Sequence, residues 1–331
     1  MSAAEGLGGW RQSWQRHGKE VLVYAGLFVL ATLVFFYLLF PYDRLRETLV
    51  RTIEEPPVQG GGRRSSGWKA EIAELSPAWL TGVELSAVQL TRSAKGADKH
   101  PIIVQADSVY VRLQILPLLV GDIAVSFAAE MAGGSIEGEY RQGDGEDDLE
   151  IEIQDVALQR QPAIRTALGL PVGGRLQGRL ALHMPENLNE STGDGQLQIQ
   201  GLQVGNGKAK LKGLTIERVD AGNLDATLSV RDGGVQLEGL SARGPDLVLQ
   251  GKGQLRLLRP LKLSNLDLQV RFKFTNAYRN RSESTKEIFL FMDALPALQA
   301  AHTDDGFLQY KIQGALGAKM RAIPAGKEPV R

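Results

Sequence analysis

Residues 266–274 read Leu-Asp-Leu-Gln-Val-Arg-Phe-Lys-Phe, so apolar side chains alternate with polar or charged ones without interruption. Because successive side chains of a β-strand point to opposite faces, this alternation predicts a strand with one apolar face and one wet face. Residues 224–230, Leu-Asp-Ala-Thr-Leu-Ser-Val, repeat the pattern. Such strands are typical of antiparallel sheets that meet water on one side.

The same period of two recurs along most of the chain after Trp68. Turn signals separate the predicted strands at intervals of roughly 8–14 residues, which is the rhythm of an all-β meander. The acidic run 143–148 is interpreted as a hairpin turn, because it lacks the spaced oxygen ligands of a calcium loop. A phase slip between Leu85 and Val88 indicates a β-bulge. The other turn signals are Asp194-Gly195, Asn206-Gly207 and Asp232-Gly233-Gly234.

Three short segments carry apolar residues at helical spacing instead, namely 42–54, 161–170 and 284–301. Pro56 and Pro171 end the first two, and Pro296 is expected to kink or end the third, because proline removes an amide donor and clashes with a continuing helix. The sequence therefore predicts a mainly β protein with a few short helices.

Residues 21–40 contain no charged residue and no proline. Twenty helical residues span about 30 Å, the thickness of the bilayer hydrocarbon, so this stretch predicts a membrane anchor from Val21 through Leu30 to Phe40. A cleaved signal peptide would have a shorter apolar core that ends in small residues. The positive-inside rule does not orient this helix, because three basic residues lie near each end: Arg11, Arg16 and Lys19 on one side, and Arg44, Arg46 and Arg51 on the other.

The predicted organisation has six parts. They are an arm at 1–20, a transmembrane helix at 21–40, a juxtamembrane helix and linker at 41–67, β subdomains at 68–160 and 161–322, and a flexible tail at 323–331. The boundary at residue 161 is placed at the second helical segment, where Pro171, Gly173 and Gly174 follow.

Composition excludes several classes of function. The chain has 38 basic and 38 acidic residues, so no net charge attracts nucleic acid. It has no cysteine, which excludes disulfides and thiolate chemistry. No motif has the spacing of a metal site, a nucleophile elbow or a phosphate loop. We therefore predict no catalytic residue, no metal and no cofactor, and we expect that the protein is not an enzyme.

Several short motifs are spread along the chain: Phe40-Pro41-Tyr42-Asp43-Arg44-Leu45, Ala73-Glu74-Leu75-Ser76-Pro77, residues 82–90, residues 113–123, Leu295-Pro296-Ala297-Leu298-Gln299 and residues 305–314. Together they resemble the type II secretion system protein N family. The resemblance covers most of residues 20–322, and the same features also resemble the AsmA-like envelope proteins.

The resemblance implies a single-pass bacterial inner-membrane protein with its C-terminal domain in the periplasm. It also implies an elongated, curved antiparallel sheet. The preferred function is an accessory structural component of the type II secretion system that binds other envelope subunits, with the sheet edges as the expected binding surface. The alternative is an AsmA-like protein whose apolar β groove serves lipid transport or outer-membrane assembly. The residues predicted to line that groove are Leu224, Leu228, Val230, Leu268, Val270 and Phe272.

Overall fold

The structure is a computed structural model of the chain. It describes residues 23–24, 26–28, 31–32, 35, 41–57, 63–78, 81–92, 101–207, 210–211, 214–215, 217–258, 263–316 and 320–326. The chain divides into two compact units, Met1–Thr48 and Leu49–Arg331. The predicted arm at 1–20 and the anchor positions Val21, Leu30 and Phe40 lie outside the described residues. Among the residues that are described, no helix combines the length and hydropathy needed to cross a membrane.

The described helices are short. Those with described bounds are α1 Tyr42–Glu54, α2 Ile115–Leu118, α3 Pro162–Leu168, α4 Asn276–Arg279, α5 Glu283–Asp293 and α6 Pro296–Gln299. The described residues 23–24, 26–28, 31–32 and 35 are also helical. The helices predicted at 42–54 and 161–170 are therefore confirmed. The predicted helix at 284–301 is present as α5 and α6, with the break just before Pro296.

Sixteen strands are found among the described residues of the second unit and make up most of it. They are β1 Trp68–Ala78, β2 Gly82–Arg92, β3 Ile102–Leu113, β4 Ile123–Met131, β5 Gly134–Gly143, β6 Glu146–Ala157, β7 Val172–Met184, β8 Thr192–Val204, β9 Lys210–Leu211, β10 Leu214–Thr215, β11 Val219–Arg231, β12 Gly234–Arg243, β13 Leu247–Arg256, β14 Asn265–Phe274, β15 Leu308–Ala315 and β16 Arg321–Pro324.

Fourteen of these strands form one open antiparallel sheet, in which each strand pairs with its neighbours in sequence. Only β9 and β10 stand apart, as a two-stranded ribbon inserted between β8 and β11. The predicted meander is confirmed. The sheet is also continuous across the proposed subdomain boundary, because β6 pairs with β7 from Asp147↔Met184 to Ala157↔Arg175.

The meander gives the sheet two ends, which we name by what they carry. The helical end holds α3, after β6, and α4–α6, after β14. The turn end holds α2, after β3, and the hairpin turn between β5 and β6. That turn lies at Asp144 and Gly145, inside the predicted acidic turn, and both residues have positive φ (43° and 84°).

One predicted turn is wrong. Asp194-Gly195 lies inside β8, where both residues pair with β7 and β11. A Cβ atom at Gly195 would lie 3.0 Å from Leu180 Cδ1 and 3.3 Å from Leu228 Cδ1. The glycine is therefore needed for side-chain space within the sheet and not for a turn.

The predicted bulge near Leu85 is not present as an inserted residue, because β2 keeps one register with β1 and β3 on both sides of Ala87. The backbone is nevertheless irregular at this point. Ala87 has a φ of 48°, which is uncommon for a residue with a side chain. The apolar parity changes on both sides of it, since Leu85 pairs with Val109 and Val88 pairs with Ala106.

The predicted flexible tail begins inside a strand instead. Ile323 and Pro324 belong to β16, which pairs with β15. Ala325 is 5% exposed, and its amide donates to the carbonyl of Gln309 at 2.9 Å. Residues 327–331 lie outside the described part of the chain.

Candidate functional site

One face of the fourteen-stranded sheet is apolar from its first strand to its last. Residues that pair directly across antiparallel strands share a face, so the register identifies continuous rows. One such row takes one residue from every strand, and none of them is polar. We call it the apolar row: Pro77, Val83, Val111, Phe127, Gly138, Ile151, Leu180, Gly195, Leu228, Leu237, Gly253, Leu268, Ile312 and Ala322.

The apolar row is not a buried core. Gly195 is buried and Ala322 is exposed, while the other twelve residues are all partly exposed. Large aliphatic side chains in the core of a globular domain are usually fully buried between two layers. In the part of the chain that the structure describes, the sheet forms a single layer at this row.

The six predicted groove residues lie on this apolar face. Leu228 and Leu268 belong to the apolar row, and Val270 lies beside it, opposite Gly251. Leu224 and Phe272 lie nearer the helical end, where they pack against buried residues. Val230 is only 2% exposed. The accessible part of the predicted groove is therefore centred on Leu228, Leu268 and Val270.

Glycines allow the apolar side chains to lie close to the backbone. A Cβ atom at Gly178 would meet Leu197 Cδ2 at 2.5 Å, and one at Gly253 would meet Leu268 Cδ1 at 3.0 Å. At Gly138 the ring of Phe127 takes the same space, at 2.5 Å from the Cβ position. Two leucine side chains and one phenylalanine side chain therefore lie directly over glycine residues. The apolar side chains of this face are closely packed and lie near the backbone of the sheet.

Helices close the face at the helical end. Tyr278 of α4 and Phe289 of α5 are buried together with sheet residues such as Val172, Leu202 and Leu247. Phe274 of β14 joins them, with ring centroids 5.5 Å from Tyr278 and 5.1 Å from Phe289. Aromatic pairs at this separation add about 0.5–1.5 kcal/mol to their burial.

An ion pair between a buried carboxylate and a partly exposed arginine holds the helical cap, α4–α6, on the sheet. Asp246 lies between β12 and β13 and is 2% exposed. It accepts a hydrogen bond from Arg281 Nη2, and its Oδ2 accepts the amide of Asp220 at 2.8 Å. The guanidinium also donates to the carbonyl of Arg218 at 3.0 Å. One arginine therefore connects the segment between α4 and α5 to two loops of the sheet.

Tyr278 adds a second connection. Its hydroxyl donates to the carbonyl of Glu217 at 3.0 Å, and the Arg281 guanidinium lies 4.9 Å from its ring centroid. Burial raises the pKa of Tyr278 to about 12, and the nearby charge of Glu217 adds to this. The phenol therefore stays neutral and keeps donating throughout the physiological range.

The opposite face of the sheet is polar. Gln177, Gln198 and Gln200 join Asp155 and Asp225 in a chain of side-chain hydrogen bonds of 2.6–3.2 Å. Nearer the turn end, His183 Nδ1 lies 2.7 Å from Asp148 Oδ1, and this hydrogen bond raises the pKa of His183 above its ordinary value. The sequence alternation assigned this wet face correctly.

Two features of the site could not be found from sequence spacing. The partners Asp246 and Arg281 are 35 positions apart in the chain, so no local motif joins them. The apolar row can be identified only from the register of every strand, which the sequence of a single strand does not reveal.

In the described part of the chain, no group of three or more acidic or histidine side chains is placed to hold a metal ion.

The fold and its apolar face define an open, single-layer β-sheet protein with a helical cap at one end. No protein-family model, curated protein or solved structure matches the chain.

Proposed function

We propose that the apolar face of the sheet binds the acyl chains of lipids. The observation that carries this proposal is the apolar row, which crosses all fourteen strands without a polar residue and is buried only at Gly195. Exposed apolar surface costs about 25 cal/mol per Å², so a ligand that covers this row gains free energy with every methylene it buries.

The chemistry of the face favours a long apolar chain over a peptide. The backbone amides and carbonyls of the central strands are used by the neighbouring strands, as the pairings of Leu228 with Gly195 and Leu237 illustrate. A peptide would therefore find no backbone partners on this surface, and its own polar groups would be desolvated at a cost. An acyl chain has no such groups, and a lipid head group could remain in water beyond the rim.

We also propose that the sheet is elongated and curved, with the apolar face on the inside. The glycines under Leu197, Leu268 and Phe127 support this, because side chains on the inner side of a curved sheet have less room. Together with the predicted anchor, this supports an AsmA-like protein of the bacterial inner membrane that exposes its sheet to the periplasm and handles lipid.

The proposal is tested with Leu228→Arg and its neighbour Thr227→Arg. Leu228 is partly exposed on the apolar face, whereas Thr227 is exposed on the polar face. An arginine at 228 can bend its stem to reach water, so the protein should stay folded but lose most of its copurifying lipid. Thr227→Arg should retain both the fold and the lipid. Lipid is measured by mass spectrometry after extraction, and folding by thermal melting.

A second measurement keeps this test decisive if Leu228→Arg fails to fold. A photoactivatable fatty acid added to the unmodified protein should crosslink to peptides that carry apolar-row residues such as Leu180 or Leu268. Crosslinks confined to the polar face, or unchanged lipid in a folded Leu228→Arg protein, would refute the proposal.

A role in type II secretion is a second candidate, and it rests on the edge of the sheet. Strand β1 is eleven residues long and pairs only with β2 among the described strands. A long edge strand can accept a strand from a partner subunit. Glu54 Oε1 already accepts the amide of Ala70 at 3.2 Å, so one edge position is occupied. Elution of the solubilised protein alone, from membranes that carry the secretion machinery, would contradict this role.

A further inference from the structure

The loop that connects β3 to β4 forms an exposed apolar tip at the turn end of the sheet. We define the apolar tip as residues 115–120, Ile-Leu-Pro-Leu-Leu-Val, which include helix α2. Leu116, Leu119 and Val120 are 78%, 76% and 78% exposed. Such a cluster of large aliphatic side chains on a short loop is unfavourable in water, and exposed apolar patches of this kind mark interaction sites.

The backbone of the tip bonds to itself. The amides of Leu119, Val120 and Gly121 donate to carbonyls three residues earlier, at 3.0–3.3 Å, and the amide of Asp122 donates to Pro117 at 3.0 Å. Pro117 has no amide hydrogen to satisfy. Hydrocarbon offers no hydrogen-bond partners, so each of these internal bonds lowers the cost of placing the segment in it.

The tip also lacks the residues that usually anchor protein partners. It has no aromatic ring, no arginine and no polar side chain, whereas protein interfaces concentrate their binding energy in Trp, Tyr and Arg. Aliphatic side chains alone partition well into hydrocarbon. A lipid surface therefore fits the tip better than a protein surface does.

The tip continues the apolar face of the sheet. It begins two residues after Leu113 and ends five residues before Val125, and these two residues pair with each other on the apolar side. An acyl chain on that face would meet no polar residue of these two strands before it reached the tip.

We infer that the apolar tip inserts into the outer part of a lipid bilayer. The insertion is hydrophobic, because no basic side chain lies within the tip and Asp122, two residues after it, is acidic. Binding should therefore not require anionic lipid and should change little with salt concentration. The inference extends the proposed lipid-binding face by giving it a point of contact with a membrane.

The test uses the full chain, which has no cysteine of its own. Leu119→Cys carries an environment-sensitive fluorophore, and the labelled protein is reconstituted into phosphatidylcholine vesicles. A spin-labelled phosphatidylcholine quencher is placed either in these vesicles or in added acceptor vesicles. Strong quenching from either membrane supports insertion, and its source tells which membrane the tip enters. Absence of quenching from both membranes would overturn the inference.

Glu186→Cys provides the matched control, because this exposed residue lies in the loop between β7 and β8 at the same end of the sheet. Its label should remain in water, and quenching equal to that at position 119 would also overturn the inference. With the label at Val120→Cys, adding Leu116→Ser and Leu119→Ser should weaken the membrane contact at least about tenfold. The melting temperature should not change, because both leucines are exposed.

This test measures the position of the tip and does not measure the lipid bound by the sheet. If Leu228→Arg loses lipid while the tip stays unquenched, the proposed function stands and the insertion fails. If the tip is quenched while lipid binding by the sheet is absent, the reverse holds.

Discussion

Replacing Arg281 with methionine should loosen the helical cap. The change keeps most of the side-chain volume but removes the guanidinium that bonds to Asp246 and to the carbonyl of Arg218. Asp246 is 2% exposed, so its carboxylate would keep only the amide of Asp220 as a partner. A buried charge that loses its counterion is strongly destabilising.

The magnitude follows from where the two partners lie. Breaking a fully buried pair costs about 3–5 kcal/mol, while an exposed pair contributes about 0–1 kcal/mol. The Arg281 side chain is 41% exposed and the Asp246 side chain is 2% exposed, so the pair lies between these limits. We expect a loss of about 2–3 kcal/mol, which corresponds to a fall in melting temperature of about 3–5 °C for a unit of this size.

The assay is thermal melting of the reconstituted protein, followed by circular dichroism, for three variants. Lys286→Met removes the pair with Glu283, whose side chain is 84% exposed, and should cost less than about 0.5 kcal/mol. The double variant Asp246→Asn with Arg281→Met removes both charges but keeps an acceptor for the amide of Asp220. It should recover more than half of the loss, and a double variant as unstable as Arg281→Met alone would refute the reasoning.

Two further predictions concern the cap and the glycines. Since the pKa of Tyr278 is raised to about 12 in the folded protein, its contribution to stability should be lost between pH 10 and 12. Tyr278→Phe should lower the free energy of unfolding by about 1 kcal/mol at neutral pH. In urea unfolding, this free energy should fall less with rising pH in the variant than in the unmodified protein; an equal fall would contradict the prediction. Gly178→Ala should cost about 1–3 kcal/mol because its Cβ would lie 2.5 Å from Leu197, whereas Gly239→Ala, with open space around it, should be neutral.

The sequence predicted the local structure well where one pattern dominates. Alternation over 224–230 and 266–274 placed those residues in strands with the correct faces. The turn at Asp232-Gly233 is confirmed by positive φ at both residues. At Asp194-Gly195 the same Asp-Gly signal gave a wrong turn prediction, because glycine occurs in turns and also where neighbouring side chains need space. Local sequence does not distinguish these two uses.

The cap was predictable only as separate helices. The spacing of apolar residues identified α3 and α5, but the position of each helix on the sheet depends on contacts such as Tyr278 with Glu217, 61 residues apart. The burial of Asp246 has no signature in its neighbours Pro245 and Leu247. Such contacts form only when distant segments meet, so a pattern read along the chain does not contain them.

The sequence by itself determined that this protein is mainly β, that its strands have one apolar and one polar face, and that it uses no cysteine chemistry. These properties follow from side-chain alternation and composition, which are local. Tertiary structure alone decided that all fourteen strands share one sheet and that their apolar faces join into a single partly exposed row. Strand order and register depend on pairing between distant segments, and whether an apolar face is covered depends on what the rest of the chain places over it.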